Sequence, residues 1–425
     1  MKIFTAPVGY DYSQVRTDIR VSLYGTDENT EGSVGKAIFT QILKRKLSPS
    51  QRAWDLLSVA LSVVSSDLAV SRAKSPDGWT REFDLTISVN DKQFWDSNKS
   101  IVEEMLQFLS TDIWRLDFVQ TEVLPPLPNE PVSPTEDCIA LLSGGLDSLI
   151  GALDLTSAKR RPFLVSHTVS GDAEKQRYFA NSAGVELSQI QLNHNAKVPK
   201  QDTSPPSQRT RSIVFLAYAV VMATTLEKYK NGDKTELFMS ENGLISINPP
   251  LTGSRIGSLS TRTTHPIYLS LFQRLLNNAG LNITVINKYA FKTKGQMLLE
   301  SSGQDFLVNN AYKSTSCGRF GRYGRKHCGR CVPCLIRRAS FLKWGQKDLT
   351  DYHFDDLSKQ DKNHAFFDDV RSAAIAVNRV EEEGIESLVG ANLNTVILGD
   401  ISEYLSVAQS GIKEVGTFLK QYGVS

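Results

Sequence analysis

Residues Ile139 to Ser157 read IALLSGGLDSLIGALDLTS, and the fold follows from this stretch. Cys138, Ile139, Ala140, Leu141 and Leu142 form a continuous apolar run, as a parallel strand buried on both faces requires. Leu149, Ile150, Ala152, Leu153 and Leu155 then recur at helical spacing. Between them lies Ser143-Gly144-Gly145-Leu146-Asp147-Ser148, so the unit is strand, glycine turn, helix. Without Cβ atoms the glycines allow positive φ and let backbone N–H groups approach an oxyanion closely. The first N–H groups of the following helix lack partners within it, and its dipole favours negative charge there. The turn therefore predicts phosphate binding. An ordinary helix start capped by Asp147 or Ser148 is the competing expectation.

Residues 137–345 alternate strand and helix patterns. Strands are predicted at Pro162–Ser166, Gln189–Leu192, Glu236–Ser240 and Ile283–Ile286, with helices at Ala173–Ala183, Thr210–Lys228 and His265–Ala279. Such βαβ alternation implies a doubly wound parallel sheet with ligands beyond the carboxyl ends of its strands, where Ser143 would lie. Lys200–Ser207 is polar and proline-containing, a candidate lid.

Residues 121–136, TEVLPPLPNEPVSPTE, form a proline-rich linker. Before it, residues 1–120 predict a separate α+β domain of structural or partner-binding character. Its strand signals are the alternations at Ile19/Val21/Leu23, Phe83/Leu85/Ile87/Val89 and Trp114/Leu116/Phe118. Trp54/Leu57/Leu61/Val64 and Ile101/Met105/Phe108 mark helical stripes. Residues 346–425 predict a helical extension, with stripes at Phe366/Val370/Ala374/Val377 and Tyr404/Ala408/Ile412/Val415/Leu419.

The chain has 425 residues, a net charge of +2, 40% hydrophobic and 22% charged residues, the balance of a soluble globular protein without strong polyanion affinity. The longest apolar run, Ile213–Ala223, is too short to span a bilayer, and MKIFTAPVGYDY lacks a signal-peptide core, so a cytoplasmic location is expected. Four of the five cysteines, Cys317, Cys328, Cys331 and Cys334, crowd into one loop with spacing C-x10-C-x2-C-x2-C. Four thiolates suffice to close a tetrahedral zinc site of structural type; an iron–sulfur cluster and free thiols are the alternatives, and neighbouring His327 is a substitute ligand. Arg319, Arg322, Arg325, Lys326, Arg330, Arg337 and Arg338 surround the loop. They suit phosphates, an anionic substrate or, less favoured without interleaved aromatics, RNA.

No lysine follows the glycines of the turn, which separates it from GxxxxGKS/T, and it is not GxGxxG. SGGLDS resembles the SGGxDS signature of the PP-loop ATP pyrophosphatases. That resemblance implies Ser143, Gly144, Gly145 and Ser148 around the pyrophosphate of ATP and Asp147 near Mg2+. Together with Ser316-Cys317 and CGRCVPCLIRR from Cys328, the chain between Asp137 and Trp344 resembles the 7-cyano-7-deazaguanine synthase (QueC) family. Arg209 and Arg211, at the entrance of the long apolar helix, resemble that family's arginine and imply a phosphate contact. His167 to Gln176 (HTVSGDAEKQ) departs from the family's tyrosine–glycine–glutamine element. The added terminal regions and the long segment after Glu241 resemble the QueC-like paralogs of anti-phage operons, the QatC type.

The resemblance implies ATP, Mg2+ and Zn2+ as cofactors and adenylation of a deazaguanine carboxylate, followed by attack of ammonia or an amine of a partner protein from the same operon. Glu241, Asn242, Arg255, Arg262 and His265 are candidates for the substrate pocket; His265, before Pro266, also suits a helix cap. A PP-loop tRNA-modifying enzyme and a nucleotide-binding scaffold are the alternative functions. Thiolation would need a reactive cysteine outside the metal loop, and only Cys138 on the predicted buried strand is left.

Overall fold

The computed structural model describes residues 1–168, 171–184, 187–199, 209–251, 262–358 and 369–424. The first sheet contains β1 (Lys2–Pro7), β2 (Ile19–Leu23), β3 (Gly32–Val34), β4 (Glu82–Val89) and β5 (Ile113–Gln120), in the order β3-β2-β1-β4-β5. All its pairings are parallel. The helices α1 (Lys36–Lys44), α2 (Gln51–Ala69) and α3 (Lys92–Ser110) are interleaved with the strands. This region is therefore itself α/β, where the alternating patterns had suggested α+β. The reason lies at the edge: β5 buries only every second residue through Phe118, so a parallel edge strand imitates the half-buried strand of an antiparallel sheet.

α2 starts on Ser50, whose hydroxyl accepts from Ala53 N. It is buried on every side from Ala53 to Asp67, not along one stripe, because it lies between the first sheet and a helix of the second unit. Its serines tolerate burial by donating to carbonyls one turn back, as Ser58 does to Trp54 and Ser62 to Ser58.

Residues 121–136 carry no helix or strand; the segment is fastened where the buried Val123 bonds to Asn90 and where Val132 N donates to Lys46 O at 2.7 Å. The second sheet then forms from β6 (Cys138–Leu141), β7 (Pro162–His167), β8 (Gln189–Leu192), β9 (Thr235–Met239) and β10 (Ile283–Asn287). Its order is β10-β9-β6-β7-β8, again wholly parallel. Strands 6 to 8 progress one way and 9 to 10 the other, so the topological switch lies between β6 and β9.

Its helices are α4 (Leu146–Ser157), α5 (Ala173–Ala183), α6 (Arg211–Ala223), α7 (Glu227–Lys230), α8 (Gly243–Ile247), α9 (Pro266–Asn278), α10 (Lys294–Glu300) and α11 (Gln304–Asn310). The helix expected through Lys228 stops at Ala223. There the Thr224 and Thr225 hydroxyls donate to Val221 O and Met222 O, and Leu226 turns to an extended conformation.

α12 (Val332–Trp344) leads into the carboxyl-terminal helices α13 (Asp369–Glu383), α14 (Glu386–Leu393) and α15 (Ser402–Lys420). These share one apolar cluster with α8 and α12, centred on Leu244, Val377, Val389 and Ile412. Phe366 lies outside the described residues, and the remaining residues of both predicted stripes are on helical faces turned to this cluster.

Candidate active site and metal centre

β6 runs between β7 and β9 with every residue buried and delivers the glycine turn to the carboxyl edge of the sheet. Gly144 has φ +87°, a conformation that strains any residue with a Cβ. Its carbonyl accepts from Thr315 N at 3.1 Å. Ser143 Oγ accepts from Gly145 N at 3.2 Å and lies 3.1 Å from Ser148 Oγ, which donates to Gly145 O at 3.0 Å. Gln176 Nε2 braces the turn from α5 by donating to Ser143 O at 3.2 Å and to His167 O at 3.1 Å. Lys175, beside it, bonds to Thr315 Oγ1, and burial pushes its ammonium pKa down.

Asp147, in the first turn of α4, is buried. Its Oδ2 accepts from Asn242 N at 3.1 Å and from Asn242 Nδ2 at 2.7 Å, while Lys294 Nζ pairs with Oδ1. Despite its burial, the Lys294 ammonium and these hydrogen bonds hold the Asp147 carboxyl below its ordinary value. Glu241 moves the other way: burial, then the adjacent Asp147 charge, pushes it well above the usual carboxylate range. Of the two carboxyl groups beside the Lys294 ammonium, Asp147 is thus favoured as the charged one and Glu241 as the neutral one. A divalent cation at Asp147 would have to displace Lys294 from Oδ1, so this donor set does not fit a magnesium ligand in the arrangement seen.

A cavity of about 270 Å³ opens between the ends of β6, β7 and β9 and the start of α6. Ser143, Ser148, Glu241, Arg209 and Arg211 line it. The Arg209 guanidinium is also held by the first unit: it donates to Ser110 O at 3.2 Å and stacks 4.0 Å above the Trp79 ring. The adjacent Thr210 is anchored there too, its N and Oγ1 donating to Asp67 Oδ2 at 3.0 and 2.9 Å.

Other candidates stay apart from the cavity. Asn242 faces Asp147 and caps α8 by accepting from Ile245 N at 3.1 Å. Arg262 turns to Phe108, donating to its carbonyl at 3.1 Å, and Thr263 and Thr264 line the cavity in its place. His265 Nδ1 accepts from Ile267 N at 3.3 Å and caps α9, with its imidazole pushed down to about 3 by burial. Arg255 and the Lys200–Ser207 stretch lie outside the described residues.

Lys175, Gln176 and Lys294 are the polar neighbours of the turn that sequence reasoning missed. For Lys294 a signal existed: Thr293-x-x-Gln296 is a capping box, and both its reciprocal bonds form at the start of α10. A lysine at the first helical position after β10 must sit at the ligand edge of the sheet.

Below this edge, Cys317, Cys328, Cys331 and Cys334 bring four buried sulfurs within 4.8 Å of one another. Cys317 and Cys331 are 3.8 Å apart and Cys328 and Cys334 3.9 Å. A tetrahedron with metal–sulfur bonds of about 2.3 Å has edges of about 3.8 Å, and these two separations match it, so the donor set fits zinc. Backbone N–H groups of Arg319 and Cys328 point at Cys317 Sγ, and that of Cys331 at Cys328 Sγ, each at 3.3 Å, favouring thiolates. Gly329 has φ +84°, and a Cβ there would lie 2.2 Å from Phe354 O. His327 is not a ligand; its Nε2 accepts from Ser316 N at 3.1 Å.

Of the basic residues around the loop, Arg337 is buried and donates to Ser314, Ser316 and Ala311, and Arg338 donates to Asp355 O and Tyr422. Lys326 pairs with Asp351 and Arg319 with Asp369. These four fasten the loop to its surroundings. Cys138 is buried and its thiol is pushed up by that burial, contrary to what a sulfur carrier needs.

No protein-family model matches the chain. The chain is similar to the 7-cyano-7-deazaguanine synthase of Acinetobacter baylyi, being 25% identical over 240 residues that cover 50% of this chain and 94% of that protein. This distant likeness supports a QueC-like relationship for about half of the chain. Among the described residues no helix is long and apolar enough to cross a membrane.

Proposed function

We propose that this chain is an ATP-dependent synthase that adenylates the carboxylate of a deazaguanine, such as 7-carboxy-7-deazaguanine, and passes the acyl group to an amine. The observation that carries this reading is the glycine turn at the end of β6, opening on a cavity at the topological switch with Lys175 and Lys294 beside it. The likeness to a deazaguanine synthase supplies the substrate class.

A carboxylate is a poor electrophile at neutral pH. Its oxygen attacks the α-phosphorus of ATP, the bond to the β-phosphate oxygen breaks, and pyrophosphate leaves with the bonding electrons. The amine nitrogen then attacks the acyl carbon, AMP departs, and the nitrogen loses a proton. Little covalent work falls to the protein, whose part is positioning and charge stabilisation.

Ser143, Gly144, Gly145 and Ser148 would surround the leaving pyrophosphate, with Arg209 and Arg211 at the mouth of the cavity. Asp147 orients Lys294 toward the same phosphates. Magnesium carried on the phosphates would neutralise part of the developing charge. Zinc at the four cysteines would hold the loop beneath the site without an open coordination position. With ammonia as the acceptor the product is a primary amide, which a second activation can dehydrate to a nitrile; with an amine of a partner protein the product is an amide conjugate. The half of this chain that the likeness leaves uncovered favours the partner-directed form, and with it a role in anti-phage defence.

The test is AMP and pyrophosphate release from ATP, magnesium and 7-carboxy-7-deazaguanine, with and without ammonium. Substrate-dependent AMP that disappears in Asp147→Ala is expected. ATP turnover indifferent to the deazaguanine would overturn the substrate assignment.

A further inference from the structure

One wall of the cavity carries two buried polar atoms with no hydrogen-bond partner among the described residues, His167 Nε2 and Ser212 Oγ. They come from different elements: His167 ends β7, and Ser212 lies in the first turn of α6. His167 is only 8% exposed. Its ring is stacked on His194 at 5.6 Å and 14°, with Phe215 at 6.4 Å and Tyr218 at 6.0 Å. The wall is thus aromatic, with two polar points on it.

Folded proteins rarely leave buried polar atoms unmet, and where such atoms line a cavity a ligand is the natural partner. The kind of ligand follows from charge. Burial, reinforced by the Arg211 guanidinium, pushes the His167 imidazole down to about 3, so the ring is neutral and offers one N–H and one lone pair. A neutral imidazole and a hydroxyl match the donor and acceptor edge of an uncharged planar heterocycle. They match a phosphate poorly, and Ser143 and Ser148, in the glycine turn that lines the same cavity, already have the phosphate-binding character.

We propose that His167 Nε2 and Ser212 Oγ are the hydrogen-bonding contacts for the edge of a purine-like heterocycle bound against the His167–Phe215 wall. The heterocycle is either the base of the nucleotide or the deazapurine. This inference rests on the adenylation reading, which brings both to the cavity.

The full chain and its His167→Ala, His167→Gln and Ser212→Ala variants would be titrated separately with ATP, 7-carboxy-7-deazaguanine and inorganic pyrophosphate. His167→Ala and Ser212→Ala should each weaken the same heterocyclic ligand about tenfold, the effect of one hydrogen bond, while leaving pyrophosphate unchanged. His167→Gln should recover part of the loss. A loss confined to ATP assigns the wall to the nucleobase, and one confined to the deazaguanine assigns it to the substrate. The imidazole nitrogen resonances of His167 should shift with that ligand and not with pyrophosphate. Wild-type affinities in both alanine variants, or equal losses for pyrophosphate, would overturn the contact alone. A wild-type chain that binds neither ATP nor the deazaguanine would overturn the adenylation reading, and this inference with it.

Discussion

Thr293 Oγ1 donates a 2.6 Å hydrogen bond to Glu414 Oε1, joining α15, the last long helix, to the cap of α10. Lys294 is the next residue, and its ammonium pairs with Asp147. α15 also packs on α8, where Gly411 sits against Leu244 and Val407 against Gly243. The carboxyl-terminal helix thus supports both elements that reach Asp147. Glu414→Ala should lower the rate constant for AMP release about tenfold with little change in KM for ATP. Glu414→Gln, which still accepts from Thr293, should stay near wild type. Equal effects of the two substitutions would show that α15 contributes packing alone.

Lys294→Met leaves Asp147 and Glu241 buried together without a cation. AMP release should fall by about 100-fold or more, the scale of removing one preorganised charge-stabilising donor. Retained turnover in a folded Lys294→Met variant, judged by an unchanged circular dichroism spectrum, would remove this lysine from the phosphate site.

The Glu241 carboxyl is held well above its ordinary value of 4.5 by burial and by Asp147. The folded state therefore binds more protons than the unfolded state, and stability falls as pH rises above about 4.5 toward the folded value. Glu241→Gln removes that loss. Its melting temperature relative to wild type should be higher at pH 8 than at pH 5, and parallel profiles would contradict the raised carboxyl.

Metal analysis of the purified chain should give one zinc per chain. Chelation or Cys328→Ser should release it and lower the melting temperature, because a site closed by four protein ligands contributes its binding energy to folding. A metal-free chain with the same stability would show that the four thiols stand without an ion.

Asp67 pairs with the buried Arg81 at 2.6 Å and accepts twice from Thr210. Asp67→Ala leaves a buried guanidinium short of one partner and frees the start of α6. Chemical denaturation should register a loss of about 3–5 kcal/mol, the range for breaking a buried ion pair from one side. A loss under 1 kcal/mol would mean that Asp112, also bonded to Arg81, compensates.

The second sheet was largely legible, since β8 and α5 have the predicted limits, because buried parallel strands and apolar helices carry strong periodicity. The cysteine cluster was equally legible from spacing. Parallel pairing in the first sheet was not, since a parallel edge strand and an antiparallel one bury the same alternate residues. At the site, sequence pointed to the turn and to Glu241, whereas Lys175, Gln176, His167 and Ser212 lie on other elements and meet it only through tertiary packing. Arg262 and His265 turn from the cavity for a physical reason: Phe108 offers the first a carbonyl and the second an aromatic neighbour.

α2 and α6 belong to segments on opposite sides of the proline-rich connector, yet they pack on each other within one continuous apolar core. A fragment starting after the connector would keep the glycine turn, Lys175, Lys294 and the four cysteines. It would also present to water the face of α6 that packs on α2 and lose the carboxylate that steadies the entrance of α6. Shortening the gene at its most obvious seam would yield an aggregating polypeptide in place of a minimal catalyst.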